Sequence, residues 1–224
     1  MNCPYRSELN TSDMPERICA LPTHRGYPVP WFVAWLPDGT PEFRAMDPKK
    51  WLAAVKQRLC WVCGQALGSY LCFVIGPMCG INRTTSEPAC HRECAEWSAR
   101  NCPFLSRPHM IRREDELTAE LRPNSAGIPI RRNPGVSLVW ITKTFKVFNA
   151  GNGPMIEIGE PLEMIWYANG RIAAREEVAH SVDTSLPLLA EMIQHEPEWR
   201  QPAAQRDLER RHAWLVSRYP KGAA

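Results

Sequence analysis

Seven of the nine cysteines of this chain, together with one histidine, fall between Cys60 and Cys102, in the run CWVCGQALGSYLCFVIGPMCGINRTTSEPACHRECAEWSARNC. Two spacings inside it match metal chemistry: Cys60-x-x-Cys63 followed by Gly64, and His91-x-x-Cys94 further on. A Cys-x-x-Cys turn brings two thiolates within reach of one ion, and zinc takes four such soft or borderline ligands in a tetrahedron. The glycine suits the tight turn around the metal. His91 and Cys94, three apart in the first turn of a helix entered near Pro88, project from one face. The four residues predict a single zinc site. Cys79, Cys90 and Cys102 are alternates for one ligand. Cys90 adjoins His91 and points about 100° away from it around a helix, whereas Cys79 could reach the site from a loop and Cys102 from the helix end. Cys72 lies in an apolar strand and is expected in the core. The competing reading of all these thiols is reduced cysteine packed as a small apolar residue.

At 224 residues the chain can bury a core of its own, so metal would be a local staple rather than the whole fold. The 44% apolar content and nine tryptophans argue against disorder, and 21 prolines imply many loops and short elements. An odd number of clustered cysteines fits metal ligation in a reducing compartment better than a disulfide framework. The start MNCPYRSELNTSDMPER lacks the pattern of a secretory signal, and no apolar run has the length of a bilayer span. A cytoplasmic protein with no membrane partner is expected. The formal charge of +3, from 27 basic and 24 acidic residues, leaves nucleic-acid binding open.

Residues 1–26 have no periodicity and read as a loosely held arm, with Cys3, Cys19 and His24 in it. From Pro28 to Arg44, two β-rich runs flank Pro37-Asp38-Gly39-Thr40, the composition of a hairpin turn. Asp47-Pro48 then opens a helix, with Asp as cap and Pro at the first helical position; Leu52, Val55 and Leu59 fall on one face. After the cysteines, residues 108–135 read as a linker-like segment whose Arg112, Arg113, Arg131 and Arg132 form the most basic surface, the expected nucleic-acid contact. Beyond it, VSLVWITKTFKVF, MIEI and LEMIWY predict a three-stranded meander. Helices are then expected over roughly 173–181, 186–195 and 203–217. Glu160, Trp166 and Arg171, around a strand-to-helix transition, mark an expected cleft.

A Cys-x-x-Cys knuckle, a β-hairpin built from SYLCFVIG and the segment 76–83, and a helix carrying the last two ligands resemble a treble-clef zinc finger. Two catalytic families fit the same residues less well. His91-Arg92-Glu93 has the His-x-Glu of zinc deaminases, but the Cys-x-x-Cys stands upstream instead of downstream and lacks its proline. Asn82 and His91 have the order of a His-Asn-His nuclease, but the activating histidine is missing, and Cys72 and Phe73 stand in its region. No phosphate loop, nucleophile elbow or dinucleotide fingerprint is present.

Taken together, YPVPWFVAW, the pair CWVCG and FVIGPMCGINR, EPACHRECAEWSARNCPFL, and IGEPLEMIWYANGR with AREEV resemble a family of small proteins from phages, prophages and some bacteria, over most of residues 27–195. That resemblance implies an accessory role in a bacterial host cell and carries over no catalytic residue. The expected class is α+β: a treble-clef-like zinc unit with an N-terminal hairpin and helix over 27–107, then a β-meander and C-terminal helices over 136–224, as a second unit or packed with the first as one domain. The expected function is that of a zinc-stabilised, non-enzymatic protein binding a nucleic acid or a host protein. The alternative is a metal-dependent hydrolase acting on nucleic acid or a nucleotide.

Overall fold

The structure, a computed structural model, describes residues 5–107 and 133–221. Arg112, Arg113, Arg131 and Arg132, and also Cys3, lie outside the described residues. The first described stretch contains α1 (Glu16–Cys19), the short strands β1 (Thr23–His24) and β2 (Tyr27–Pro28), the hairpin β3 (Val33–Trp35) and β4 (Pro41–Met46), and α2 (Pro48–Gln57). It continues through β5 (Leu71–Ile75), α3 (Pro77–Asn82), β6 (Thr84–Thr85), α4 (Arg92–Asn101) and α5 (Pro103–Ser106). The second contains β7 (Ser137–Thr142), β8 (Phe145–Asn149), β9 (Pro154–Ile158), β10 (Glu163–Ala168), β11 (Arg171–Ile172), α6 (Arg175–Gln194) and α7 (Gln201–Val216). Helices and antiparallel sheets are thus mixed, without a barrel, and among the described residues no helix is long and apolar enough to cross a membrane.

The strand β7 is buried at every residue. It pairs antiparallel with β5 on one side, Leu71 opposite Thr142, and with β10 on the other, Glu163 opposite Ile141. With β11 this gives a four-stranded sheet in the order β11-β10-β7-β5, built from both described stretches. Alternation along a strand sends successive side chains to opposite faces, so one sheet feeds two cores. Leu71, Phe73, Ile75, Leu138, Trp140 and Trp166 join α3, α6 and α7 in one cluster. Cys72, Val139, Ile141 and Tyr167 face α4, the cysteine knuckle and the N-terminal segment in the other. A strand buried on both faces reads as a continuous apolar run, which is why SLVWI carries no polar alternation.

Several expectations are corrected. The run VSLVWITKTFKVF is two strands in two sheets: Thr142-Lys143-Thr144 breaks it, β8 pairs with β9, and β9 pairs with β6, so the expected single meander does not form. The Thr142 hydroxyl donates to the Glu160 carbonyl at 2.8 Å and fixes that break. The segment expected as the second strand of a finger hairpin is α3 instead, with Pro77 at its first position. The two helices expected over roughly 173–181 and 186–195 are one, α6, which runs through Pro187. Proline removes one backbone donor there, and the Ser185 hydroxyl bonds back to the Ser181 carbonyl at 2.8 Å in the same turn. The segment expected as a loose arm packs on α4: Ile18 is fully buried, the Trp97 indole donates to the Asn10 carbonyl at 3.1 Å, and the Asn10 amide donates to Asn101 Oδ1 at 2.9 Å.

Helix α2 begins as the sequence predicts, with Asp47 Oδ1 accepting the Lys49 amide at 2.8 Å and Pro48 in the first turn. Its inward face is different from the expected stripe. Ala54 is buried, Trp51 and Val55 pack on the cores, and Leu52 is exposed. The α2 chain ends at Arg58, in the left-handed conformation (φ 54°), which turns it into Cys60.

Candidate metal centre

The knuckle is built from backbone bonds before any side chain takes part. The Gly64 amide donates to the Cys60 carbonyl at 2.8 Å and the Cys60 amide to the Gln65 carbonyl at 2.8 Å, with Leu59 and Ala66 bridged across the base. Gly64 has φ +74°, and a Cβ there would meet the Trp31 ring at 2.7 Å. Both the turn and the packed indole therefore require glycine. Strand β5 places the other two ligands: Cys72 and Cys90 form a bridge with reciprocal amide-to-carbonyl bonds of 3.0 and 2.7 Å, which sets His91 beside the knuckle as the cap residue of α4. Cys94 follows in the first turn.

The ligand atoms of Cys60, Cys63, His91 and Cys94 all lie within 4.8 Å of one another, the three cysteines buried and His91 half-buried. This group could hold a metal ion. His91 Nδ1 is 3.4 Å from Cys63 Sγ, and Nε2 is 3.0 Å from the Ala66 carbonyl. A carbonyl only accepts, so Nε2 carries the proton and Nδ1 keeps its lone pair for an ion. Two amides aim at the innermost sulfur: those of Cys63, at 3.5 Å, and His91, at 3.4 Å, donate to Cys60 Sγ. Such donors favour thiolate over thiol.

The electrostatics centre on Cys60. Its thiol is held far below the usual range, chiefly because the Cys63 thiol donates to it, followed by those of Cys90 and Cys94. Cys63, Cys90 and Cys94 are pushed up, each mainly by donating to Cys60, and His91 is raised by the same sulfur. One negative charge is shared among protons that a divalent cation would displace, since metal binding requires deprotonated sulfur. Outside the group, burial is the chief cause that raises Cys72 to about 12 and Cys79 to about 11.

Of the alternates, Cys90 precedes the His91 amide that donates to Cys60 Sγ but stands outside the four-membered group. Cys79 packs against the opposite core. Cys102 caps α4 at its far end, about 12 Å along the axis from Cys94. The Ala66 carbonyl, which orients His91, is a backbone group and carries no mark in the sequence.

The residues of the expected cleft do not share one open cavity. Trp166 is 2% exposed and packs edge-on against Tyr219, because its position on β10 faces the α6–α7 core. Glu160, before β10, pairs with Arg83, and Arg171, after it, pairs with Glu177 at 2.8 Å. Glu93 is salt-bridged to Arg17 at 2.7 Å. These two line a polar concavity of about 440 Å³ with Glu16, Ala20 and Gln65. Asn82 ends α3, and its carbonyl accepts from Arg211 at 2.6 Å.

Fold and site together define an α+β protein with a Cys₃His group clamped between a knuckle and a helix start. No protein-family model matches the chain, and neither a curated protein nor a solved structure matches it.

Proposed function

We propose that this is a zinc-stabilised, non-enzymatic interaction protein of a phage-type family, working in the cytoplasm of a bacterial host and binding a nucleic acid or a host protein. The observation that carries the zinc reading is the mutual proximity, within 4.8 Å, of four ligand atoms drawn from two separate segments. Three thiolates and one imidazole match zinc, a borderline-soft ion that imposes no redox chemistry. Four protein ligands fill a tetrahedron and leave no position for water, the arrangement of a structural site. A knuckle and a helix start supplying two ligands each also support a treble-clef-like unit, although α3 stands in place of its hairpin.

Elemental analysis with X-ray absorption at the zinc edge tests this reading. One zinc per chain with three sulfurs and one nitrogen supports it; absence of metal from protein purified without chelator overturns it. The polar concavity beside Gln65 and Glu93 favours a metal-dependent hydrolase acting on nucleic acid or a nucleotide. That reading requires a water on the ion, so an oxygen in the coordination shell would replace the first proposal with the second. For the partner, binding to DNA or RNA should fall steeply with salt, because phosphate contacts release counterions; no mobility shift even at low salt would assign the partner to protein.

A further inference from the structure

A fifth residue, a cysteine, adjoins the four residues of the metal centre without belonging to the group. The fifth is Cys90, 3% exposed and in the same core cluster as Cys60, Cys63 and Cys94. Its position follows from geometry. The His91 amide nitrogen lies 3.4 Å from Cys60 Sγ, and that nitrogen is bonded to the carbonyl carbon of residue 90, so the Cys90 side chain stems from the same peptide that cradles the sulfur. Cys90 also lies opposite Cys72, whose side chain belongs to the knuckle-side cluster, and opposed residues of an antiparallel pair share a face. Its backbone is pinned on both sides to Cys72, so the residue cannot swing away from the site.

The ligands differ in how they are guarded. Cys60 and Cys94 are fully buried, whereas His91 is only half-buried and is held through one bond from Nε2 to the Ala66 carbonyl. The ligand most open to displacement by water is therefore the immediate chain neighbour of the unused thiol. Cys79 and Cys102 have no such placement.

We propose that Cys90 is a reserve ligand: when His91 leaves the ion, the Cys90 sulfur takes its place, and the shell changes from Cys₃His to Cys₄. In this exchange the metal–nitrogen bond breaks, a metal–sulfur bond forms, and the Cys90 thiol proton passes to water. No oxidant or reductant is involved. The proposal rests on the zinc reading above and adds a way for the site to stay closed while its exposed ligand is free. It also gives the imidazole a second role, as a group released at the protein surface without loss of the staple.

The test uses the full chain loaded with cobalt(II), whose d–d bands move to longer wavelength and whose sulfur-to-metal charge transfer strengthens as imidazole is replaced by thiolate. Wild type and Cys90→Ser should each bind one ion with a three-sulfur, one-nitrogen spectrum. His91→Ala should still bind one ion, with the four-sulfur spectrum, and His91→Ala/Cys90→Ser should bind it about 100-fold more weakly or worse, since even the loss of a group that orients a ligand costs about 10–100-fold. His91→Gln is read in the same way and covers the case in which His91→Ala does not fold. If the His91 single variants lose the ion as completely as the double variant, or keep it without the spectral change, the reserve role is wrong. Loss of the ion from Cys90→Ser also overturns it, by making Cys90 a primary ligand. A wild type that binds no ion would instead refute the underlying zinc reading.

Discussion

The two faces of the central sheet are held by different physics. On one, α3, α6 and α7 cover Leu138, Trp140 and Trp166 with apolar surface, and Trp140 stacks on Trp214 at 5.7 Å. The guanidinium groups of Arg83 and Arg218 lie 4.0 and 3.9 Å from the Trp214 ring centre and close the edge of that core with cation–π contacts. On the other face, α4 and the knuckle are short, and five cysteines stand among the buried residues. A cysteine buries little surface, so at these five positions burial alone contributes little. A four-ligand ion, if held by this group, would compensate by tying residue 60 to residue 94 at one point. The comparison teaches that a non-directional core tolerates irregular helices, whereas a point staple needs its ligands oriented by backbone bonds such as those of Gly64 and Ala66.

The comparison breaks most readily at the staple. Structural zinc contributes roughly 10–16 kcal/mol in isolated zinc-finger peptides, so Cys63→Ala should weaken metal binding by about 100-fold or more and unfold the segment 60–102. Unchanged melting temperature and metal content would refute the ligand assignment. Amide hydrogen exchange during chelation sharpens the same point: protection should fall first at Cys72, Cys90 and Ala95, and last in α6. Simultaneous loss on both faces would mean that the shared strand β7 couples them into one cooperative unit.

A smaller effect is expected from the opposite face. Trp140→Ala should cost about 3–5 kcal/mol through lost burial and cavity formation, with metal content unchanged, since Trp140 belongs to the other cluster. Loss of the ion in that variant would show that the faces are not independent. Smallest is Asp47→Ala, which removes the cap of α2 and should cost about 1 kcal/mol in denaturant unfolding, again with the ion retained.

Local features were legible in the sequence because neighbouring residues decide them. Cys60-x-x-Cys63-Gly64, the His91 and Cys94 spacing, the Asp47-Pro48 helix start and the turn at Asp38-Gly39, where Gly39 has φ +81°, all depend on residues a few positions apart. The strand content of VSLVWIT was legible too, but its partners were not. Periodicity reports that a strand is buried on both faces and is silent about which strand lies beside it.

The sequence by itself therefore determined that two ligand pairs exist, each with the spacing to share a metal. Only the tertiary structure decided that the pairs meet, that Cys79 and Cys102 are left out, and that Trp166 faces a core rather than a cleft. The reason is physical: a spacing within one turn is set by local backbone geometry, while the pairing of β5 with β7, Leu71 opposite Thr142, is set by burying two faces of one sheet at once. On its other edge β5 pairs Cys72 with Cys90, and the Trp61 amide donates to the Ala89 carbonyl at 2.9 Å, which brings that segment to the knuckle.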